Sequence, residues 1–228
     1  MMMSRAEEGR LGRSAFSQVK AGLTRSRSTN DIAMLRRVGE RIAAVADLPG
    51  ANWEFELFES SEVNAFCLPG GKIGFYSGIL KHADNEAAVA AVMAHEVAHA
   101  VARHGAERLS EQRLMMVIGQ GLLRVMSDKQ VDQDKQLWML LAYTVGTQFG
   151  RVLPHSRMNE TEADRIGLMY MARAGYDPEE AVRFWERMSK LDSKSSMPFF
   201  LRTHPASLQR VEDIKRLLPE AKLQYRPR

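Results

Sequence analysis

The spacing of apolar residues predicts that most of this chain is helical. Apolar side chains recur at helical spacing between residues 30 and 48, and Asn30 or Asp31 is expected to cap the first turn. An interrupted amphipathic helix is expected before it, over residues 5–28. The same reasoning predicts a charged loop over 127–135 and helices over 85–103, from there to about 126, and over 136–148, 156–175, 177 onward and 207–218.

Between residues 53 and 76 the pattern changes to that of β-strands. Residues 53–58 alternate apolar and polar side chains, as half-buried strands do. Two more strands are expected over 63–68 and 72–76, on either side of a Pro-Gly-Gly turn signal. This β segment directly precedes an Ala-rich helix. We therefore expect an edge strand above that helix, where Asn64, Ala65 and Phe66 bind an extended peptide by backbone pairing.

Length and composition fit one large domain with an appendage. The chain has 228 residues, of which 45% are hydrophobic and 26% are charged, as in ordinary globular proteins. We expect a helical extension over residues 1–29 and the main domain over 30–228. The net charge of +4 is modest, and the basic residues near the start are mixed with Glu7 and Glu8. A nucleic-acid partner is therefore not expected.

The sequence predicts neither a membrane span nor a secretory signal. Its most apolar stretches, 114–125 and 137–145, are shorter than the roughly 18 residues that a spanning helix needs. The first residues lead straight into charged sequence without the apolar region of a signal peptide, although a chain whose leader had been removed would look the same. Cys67 is the only cysteine, so an internal disulfide is not possible.

The candidate chemistry lies in residues 95–99, which read His-Glu-Val-Ala-His. They fall in an Ala-rich segment without Pro or Gly, which favours a helix, with Asp84 as the expected N-cap. On a helix, His95 and His99 share one face, and Glu96 points roughly 100° away. Two imidazoles that hold one metal ion and a carboxylate that takes a proton from water are the parts of a zinc hydrolase.

A third ligand has several candidates. His104 follows His99 by five residues, which turns it about 140° from the ligand face. Cys67 is a minor option, as in deformylase-type amidohydrolases. Glu160 is the strongest candidate, because Asp164 lies one helical turn beyond it and is placed to accept the free N–H of a ligating imidazole. Glu162, between these two, is expected to face solvent. Without the histidine pair, the same acids would simply mark the start of a helix.

Segments 95–107 and 153–165, supported by 64–66, 68–71 and 203–205, resemble the zinc metallopeptidase family of the CAAX prenyl proteases, in particular its soluble bacterial branch. The resemblance implies an α+β, mainly helical, zincin-like (gluzincin) fold with a small antiparallel sheet beside the HExxH helix. It makes 30–228 the metallopeptidase domain. It also implies one Zn²⁺ per chain held by His95, His99 and Glu160, with Glu96 as the catalytic base and Asp164 supporting a ligand.

The expected function is that of a zinc endopeptidase acting on unfolded or extended polypeptides. The resemblance adds export to the bacterial periplasm or cell envelope, a role in envelope protein quality control, and envelope protein complexes as partners. A non-proteolytic, zinc-containing binding or chaperone-like protein is the alternative, and an amidohydrolase using Cys67 is a third. His204, in a Thr-His-Pro segment, is expected either to stabilise the oxyanion of the reaction or to occupy an open zinc position at rest, unless it is a surface loop histidine.

Overall fold

Helices form most of the part of the chain that the computed structural model describes, which is residues 3–128, 132, 135, 139, 153–192 and 198–227. The helix predicted over 136–148 lies outside these residues, apart from residue 139. The described helices, numbered in chain order, are α1 (Arg5–Gly22), α2 (Thr29–Ala43), α3 (Glu86–Val101), α4 (His104–Asp128), α5 (Leu153–Arg173), α6 (Glu179–Asp192), α7 (Phe199–Thr203) and α8 (Leu208–Lys222). No helix in these residues is both long and apolar enough to cross a bilayer.

Two helices have N-cap residues that differ from those predicted. The N-cap of α2 is Ser28, whose hydroxyl accepts a hydrogen bond from the Asp31 N–H. The N-cap of α3 is Asn85, whose side-chain oxygen lies 2.8 Å from the Ala88 nitrogen. In both helices the cap must be an extended residue that reaches the amide three positions on, and Asp84 stands one residue too early for this.

The sheet has three strands, β1 (Glu54–Phe58), β2 (Ala65–Leu68) and β3 (Lys72–Tyr76), in the order β1-β3-β2. β2 and β3 form the predicted antiparallel hairpin, whose turn uses Gly70 and Gly71 at φ of 83° and 80°. β1 pairs parallel with β3, so the sheet is mixed and not wholly antiparallel as predicted. The connection from β1 to β2 crosses the position that β3 later occupies between them. This crossover leaves β2 at an edge of the sheet.

Helix α3 lies at the centre of the fold and is buried along nearly its whole length. It packs against α2, α5, α6 and β2. Its alanines allow neighbouring backbones to come close, and Gly167 on α5 adds to this. A Cβ at Gly167 would lie 3.1 Å from the backbone nitrogen of His95, so a side chain there would push the two helices apart. This close approach brings the acids of α5 to the histidines of α3.

The turn between α3 and α4 is tied to the first helix of the chain. Arg103 has a φ of 64°, in the left-handed region that a non-glycine residue adopts at a cost in strain. Its guanidinium donates hydrogen bonds to the buried carboxylate of Glu8 on α1 and to the carbonyl of Met3. The next residue, His104, begins α4. The position of His104 is thus set by an anchor about 95 residues earlier in the chain.

Candidate metal centre

Four buried side chains converge at the junction of α3, α5 and the end of α7. Each offers one ligand atom, and these atoms all lie within 4.8 Å of one another; the residues are His95, His99, Glu160 and His204. The Nε2 atoms of His95 and His99 are 3.1 Å apart. The carboxylate oxygens of Glu160 lie 3.3 Å from each of these nitrogens. The three ligands predicted from sequence therefore meet at one point.

These separations fit a tetrahedral metal site. Nitrogen and oxygen ligands that bind Zn²⁺ at 2.0–2.2 Å in a tetrahedron are about 3.3 Å from one another. Two ring nitrogens that face each other at 3.1 Å can share only one hydrogen between them. The remaining nitrogen and carboxylate lone pairs of the group are directed at one common point. A cation at that point satisfies them, so the donor set fits a divalent metal that accepts imidazole and carboxylate.

The charges of the site also favour a cation. Burial disfavours the protonated form of His95, but its contacts with Asp164 and Glu160 outweigh burial and raise the pKa of His95 to about 9. Burial lowers the pKa of His99 to about 3. For Glu160, burial is outweighed by hydrogen bonds from three histidines, so the pKa of this carboxyl lies far below its usual range. The group therefore stabilises one positive charge beside an ionised Glu160.

Asp164 lies where the sequence placed it, one turn after Glu160, with its Oδ1 3.0 Å from Nδ1 of His95. Sequence reasoning missed its partner, Arg210 on α8, whose guanidinium donates two hydrogen bonds of 2.8 Å to the carboxylate. Burial alone would raise the pKa of Asp164, but the charge of Arg210 holds it below its ordinary value. Arg210 also lies 3.0 Å from Glu160 and stacks over the ring of Trp185. Nothing in the spacing around Arg210 indicated this role.

Glu96 is buried beside the ligands but does not belong to the group that converges on the metal position. Its Oε1 has no hydrogen-bond partner among the described residues. Burial raises the pKa of Glu96, and the nearby histidines only partly oppose this. A buried carboxylate with a free oxygen and a raised pKa is suited to accept a proton.

His204 is brought into the site and is not a surface loop histidine. It is 8% exposed, and its Nδ1 lies 3.2 Å from Nε2 of His95 and 3.0 Å from both oxygens of Glu160. Its other nitrogen, Nε2, is 3.4 Å from Oε1 of Glu96. The ring therefore stands between the metal position and Glu96.

His104 is outside the converging group, as predicted, but α3 ends at Val101, so the helical angle from His99 does not place this ring. His104 is 3% exposed and contacts a ligand. Its Nδ1 lies 2.8 Å from Nδ1 of His99. Its Nε2 lies 3.3 Å from a carboxylate oxygen of Glu162. Glu162, expected to face solvent, is 56% exposed and also makes this contact, so that expectation was incomplete.

Cys67 does not join the group of possible metal ligands. Its thiol points to the carbonyl of Leu68 at a distance of 3.7 Å. Burial raises the pKa of the thiol, and the charge of Glu96 raises it further. Because Cys67 lies outside the converging group, the site does not support an amidohydrolase that uses this thiol as a metal ligand.

The edge strand β2 lies against α3, and its register identifies which backbone groups face outward. The carbonyl of Asn64 accepts a hydrogen bond from the N–H of Tyr76, so Asn64 and Phe66 face β3. In an antiparallel pair the alternate residues, Ala65 and Cys67, then direct their N–H and C=O to the outer edge. The ring of Phe66 packs against α1, with its centroid 6.3 Å from that of Phe16.

The sequence model of peptidase family M48 matches residues 30–218 of the chain. This chain belongs to peptidase family M48. It is 40% identical to the mitochondrial metalloendopeptidase OMA1 of Schizosaccharomyces pombe, over 82% of this chain and 53% of that protein. It is 39% identical to OMA1 of Saccharomyces cerevisiae, over 76% of this chain and 49% of that protein. It is 31% identical to the beta-barrel assembly-enhancing protease of Escherichia coli, over 79% of this chain and 37% of that protein.

Family membership confirms the predicted enzyme class, a metalloendopeptidase, and the mainly helical, zincin-like fold with a small sheet. The chain spans about half the length of the M48 relatives it matches, or less. The narrower assignment to the CAAX prenyl proteases is not shown by these matches. The division at residue 29 remains a prediction, although the family match begins at residue 30.

The predicted location in a bacterial periplasm or cell envelope is wrong on this comparison. The M48 relatives at 38–40% identity are mitochondrial proteins, whereas the named bacterial relatives stand at 30–31%. The similarity therefore does not support a bacterial periplasmic location. The periplasmic expectation came from a resemblance in the site motifs to one branch of a family. These motifs do not determine where in the cell a protein is located.

Proposed function

We propose that this M48 chain is a zinc-dependent endopeptidase that cleaves unfolded or extended polypeptide segments. The observation that carries the proposal is the convergence of His95, His99 and Glu160 next to the buried carboxylate of Glu96, whose Oε1 accepts no hydrogen bond from the described residues. A module that only bound partners would have no need for a buried base at this point. The names of its relatives, metalloendopeptidase and protease, support the same reaction.

In this proposal Nε2 of His95, Nε2 of His99 and the carboxylate of Glu160 would hold Zn²⁺. When bound, the metal supplies a Lewis acid that polarises the scissile carbonyl and makes water more acidic. Glu96 accepts the proton of the attacking water and later delivers it to the leaving amine. Asp164 accepts the N–H of His95 and so keeps Nε2 of that ring free as a ligand.

His204 has two proposed roles that its position supports. With Nδ1 at the metal position it would act as a fourth ligand at rest and exclude substrate. Turned aside, its ring would donate a hydrogen bond to the oxyanion that forms from the scissile carbonyl. The two roles concern different states of the enzyme.

The variant His204→Ala separates these roles. If His204 blocks the site at rest, the variant should cleave an unfolded protein faster than wild type and bind zinc more weakly. If it stabilises the oxyanion, kcat should fall by about a hundredfold. Turnover of casein and zinc affinity should be measured together. If casein turnover and zinc affinity are both unchanged, both roles are excluded. The matched variant Arg202→Ala lies on the same short helix and controls for a disturbance of α7.

The edge of β2 is proposed to hold the substrate as an added strand. Asn64, Ala65 and Phe66 were predicted for this role, and the register assigns the outward backbone groups to Ala65 and Cys67. A substrate peptide carrying an N-methyl group at a non-scissile position that pairs with this edge loses one hydrogen bond. Its kcat/KM should fall roughly fivefold to tenfold. A series of peptides methylated at successive positions should show this loss at alternate residues, and a uniform response along the series would contradict strand pairing.

The proposed function is tested by digestion of unfolded casein with three samples of the wild-type chain. These are the zinc-loaded protein, the protein stripped by a chelator, and the stripped protein with zinc restored. Cleavage is expected in the first and third samples only. Binding of casein without cleavage by a fully zinc-loaded protein that lacks the His204 side chain would favour the alternative, a zinc-containing binding or chaperone-like protein.

The substrates of the whole protein are proposed to be unfolded or misassembled proteins, so the reaction would serve protein quality control. The name of one relative, a beta-barrel assembly-enhancing protease, is consistent with such substrates. Protein complexes as partners remain a prediction. A closer relation to the CAAX prenyl proteases is proposed from the paired sequence motifs alone.

A further inference from the structure

We propose that His104 and Glu162 are positioning residues that fix the tautomer and orientation of His99. They would do for this ligand what Asp164 does for His95. The inference rests on the proposed metal site, because it assigns these residues a role toward one of its ligands. The observation that carries it is a continuous contact from His99 through His104 to Glu162, with nitrogen–nitrogen and nitrogen–oxygen distances of 2.8 and 3.3 Å.

The positions of the ring hydrogens follow from these contacts. Nε2 of His99 faces Glu160 and Nε2 of His95, so this atom must keep its lone pair if it is to bind a metal. The ring hydrogen of neutral His99 is then on Nδ1, and Nδ1 of His104 accepts it. His104 in turn carries its hydrogen on Nε2, where Glu162 is the acceptor. Glu162 thereby selects the one tautomer of His104 that accepts from His99.

The fold holds this contact in place from three sides. His99 lies in the last turn of α3, His104 begins α4, and Glu162 lies on α5. The rings of His99 and His104 meet edge to face, with centroids 4.9 Å apart and an interplanar angle of 71°. His104 is 3% exposed, and the strained turn at Arg103 sets its place.

The two histidine ligands are supported by different chemistry. His95 has an ionised acceptor, Asp164, whose charge Arg210 balances. The proposed acceptor of His99 is a second imidazole, that of His104. Three buried carboxylates, those of Glu96, Glu160 and Asp164, already lie at the site. An imidazole as the acceptor for His99 supports the ligand without adding a fourth buried carboxylate near the catalytic base. The negative charge on this side is that of Glu162, which is half exposed and contacts His104, not His99 itself.

The test uses His104→Phe, which keeps a ring but removes the acceptor, and His104→Gln, whose amide oxygen restores one. Zinc affinity is measured by competition with a chelator, and the ligand field is measured from the visible absorption of the Co²⁺-substituted protein. His104→Phe should weaken zinc binding by about tenfold to a hundredfold and alter the Co²⁺ spectrum. His104→Gln should restore affinity to within about threefold of wild type, which a role in packing alone would not predict.

A second pair of variants keeps the proposal testable if His104→Phe does not fold. Glu162→Leu should weaken zinc binding about threefold to tenfold, whereas Glu162→Gln, which keeps an acceptor oxygen, should not. Glu220→Leu is the matched control, since Glu220 is a similarly exposed acid that pairs with Arg165 on α5. In the zinc-loaded wild type, ring ¹⁵N shifts should show His104 protonated at Nε2 and bare at Nδ1.

Each outcome decides between the proposals. Unchanged zinc affinity and Co²⁺ spectrum in both His104→Phe and Glu162→Leu would overturn the inference, as would a hydrogen on Nδ1 of His104. A wild-type chain that does not bind zinc at all would instead overturn the proposed function. If the wild type binds zinc and only the variants without an acceptor, His104→Phe and Glu162→Leu, bind it more weakly, the result supports both the proposed function and the positioning role.

Discussion

Replacing Glu96 by Gln is expected to lower the rate of peptide hydrolysis by about a hundredfold to ten-thousandfold while the bound metal is retained. Glutamine has nearly the same shape, but its amide does not accept the proton of the attacking water. Glu96 is not among the atoms that converge on the metal position, so the ligands should be undisturbed. The raised pKa of Glu96, caused by burial, makes it a stronger base than an exposed carboxylate.

The measurement is digestion of casein by wild type and variant, with the zinc content of both samples determined on the same day. His204→Ala should be added to both backgrounds, so that a site closed by His204 is not mistaken for an inactive one. The variant Glu62→Gln, an exposed acid upstream of β2, is the control for the change of charge. Equal rates in wild type and a fully metallated Glu96→Gln would remove Glu96 from the mechanism.

Arg210→Met is expected to destabilise the metal-free protein by about 3–5 kcal/mol. Arg210 is buried and balances Asp164 and Glu160 at distances of 2.8 and 3.0 Å. Methionine fills much of the same space but leaves two buried carboxylates without this cation. The pKa of Asp164 should then rise, because the charge that lowers it is gone. Zinc should recover part of the loss, since the bound metal replaces a positive charge at the site.

Urea unfolding of the metal-free and zinc-loaded proteins measures both effects. Arg216→Met, on the same helix, is the matched control, because Arg216 is 74% exposed in its side chain and pairs only with the nearby Asp213 among the described contacts. Its effect should stay within about 0.5 kcal/mol. A loss for Arg210→Met no greater than that of the control would show that Arg210 does not balance the buried acids.

The parts of the site that sequence predicted are those fixed by local geometry. The spacing of His95 and His99 follows from one helical turn, and so does the spacing of Glu160 and Asp164. Both pairs lie as expected. The same is true of the β2–β3 hairpin, because its turn residues determine its connection.

The parts that sequence did not predict depend on packing between distant segments. Arg210 reaches Asp164 across 46 residues, and no periodic pattern marks an arginine that will be buried. The helical angle was applied to His104 as if one helix continued through it, whereas α3 ends at Val101 and the left-handed Arg103 precedes His104. The angle therefore did not show that the ring of His104 contacts the back of a ligand. The parallel pairing of β1 likewise depends on which side of β3 the chain passes, which strand patterns do not encode.

The left-handed backbone of Arg103 has a consequence for the order in which the molecule assembles. Glycine or asparagine would adopt this conformation with less strain, which is of order 1–3 kcal/mol for other residues. Neither would reach Glu8. Helix α1 is synthesised before residues 95–104, so Glu8 is already present when they emerge. We expect the turn at Arg103 to close only once this long-range contact forms, so that the position of His104 is set after α1 has docked.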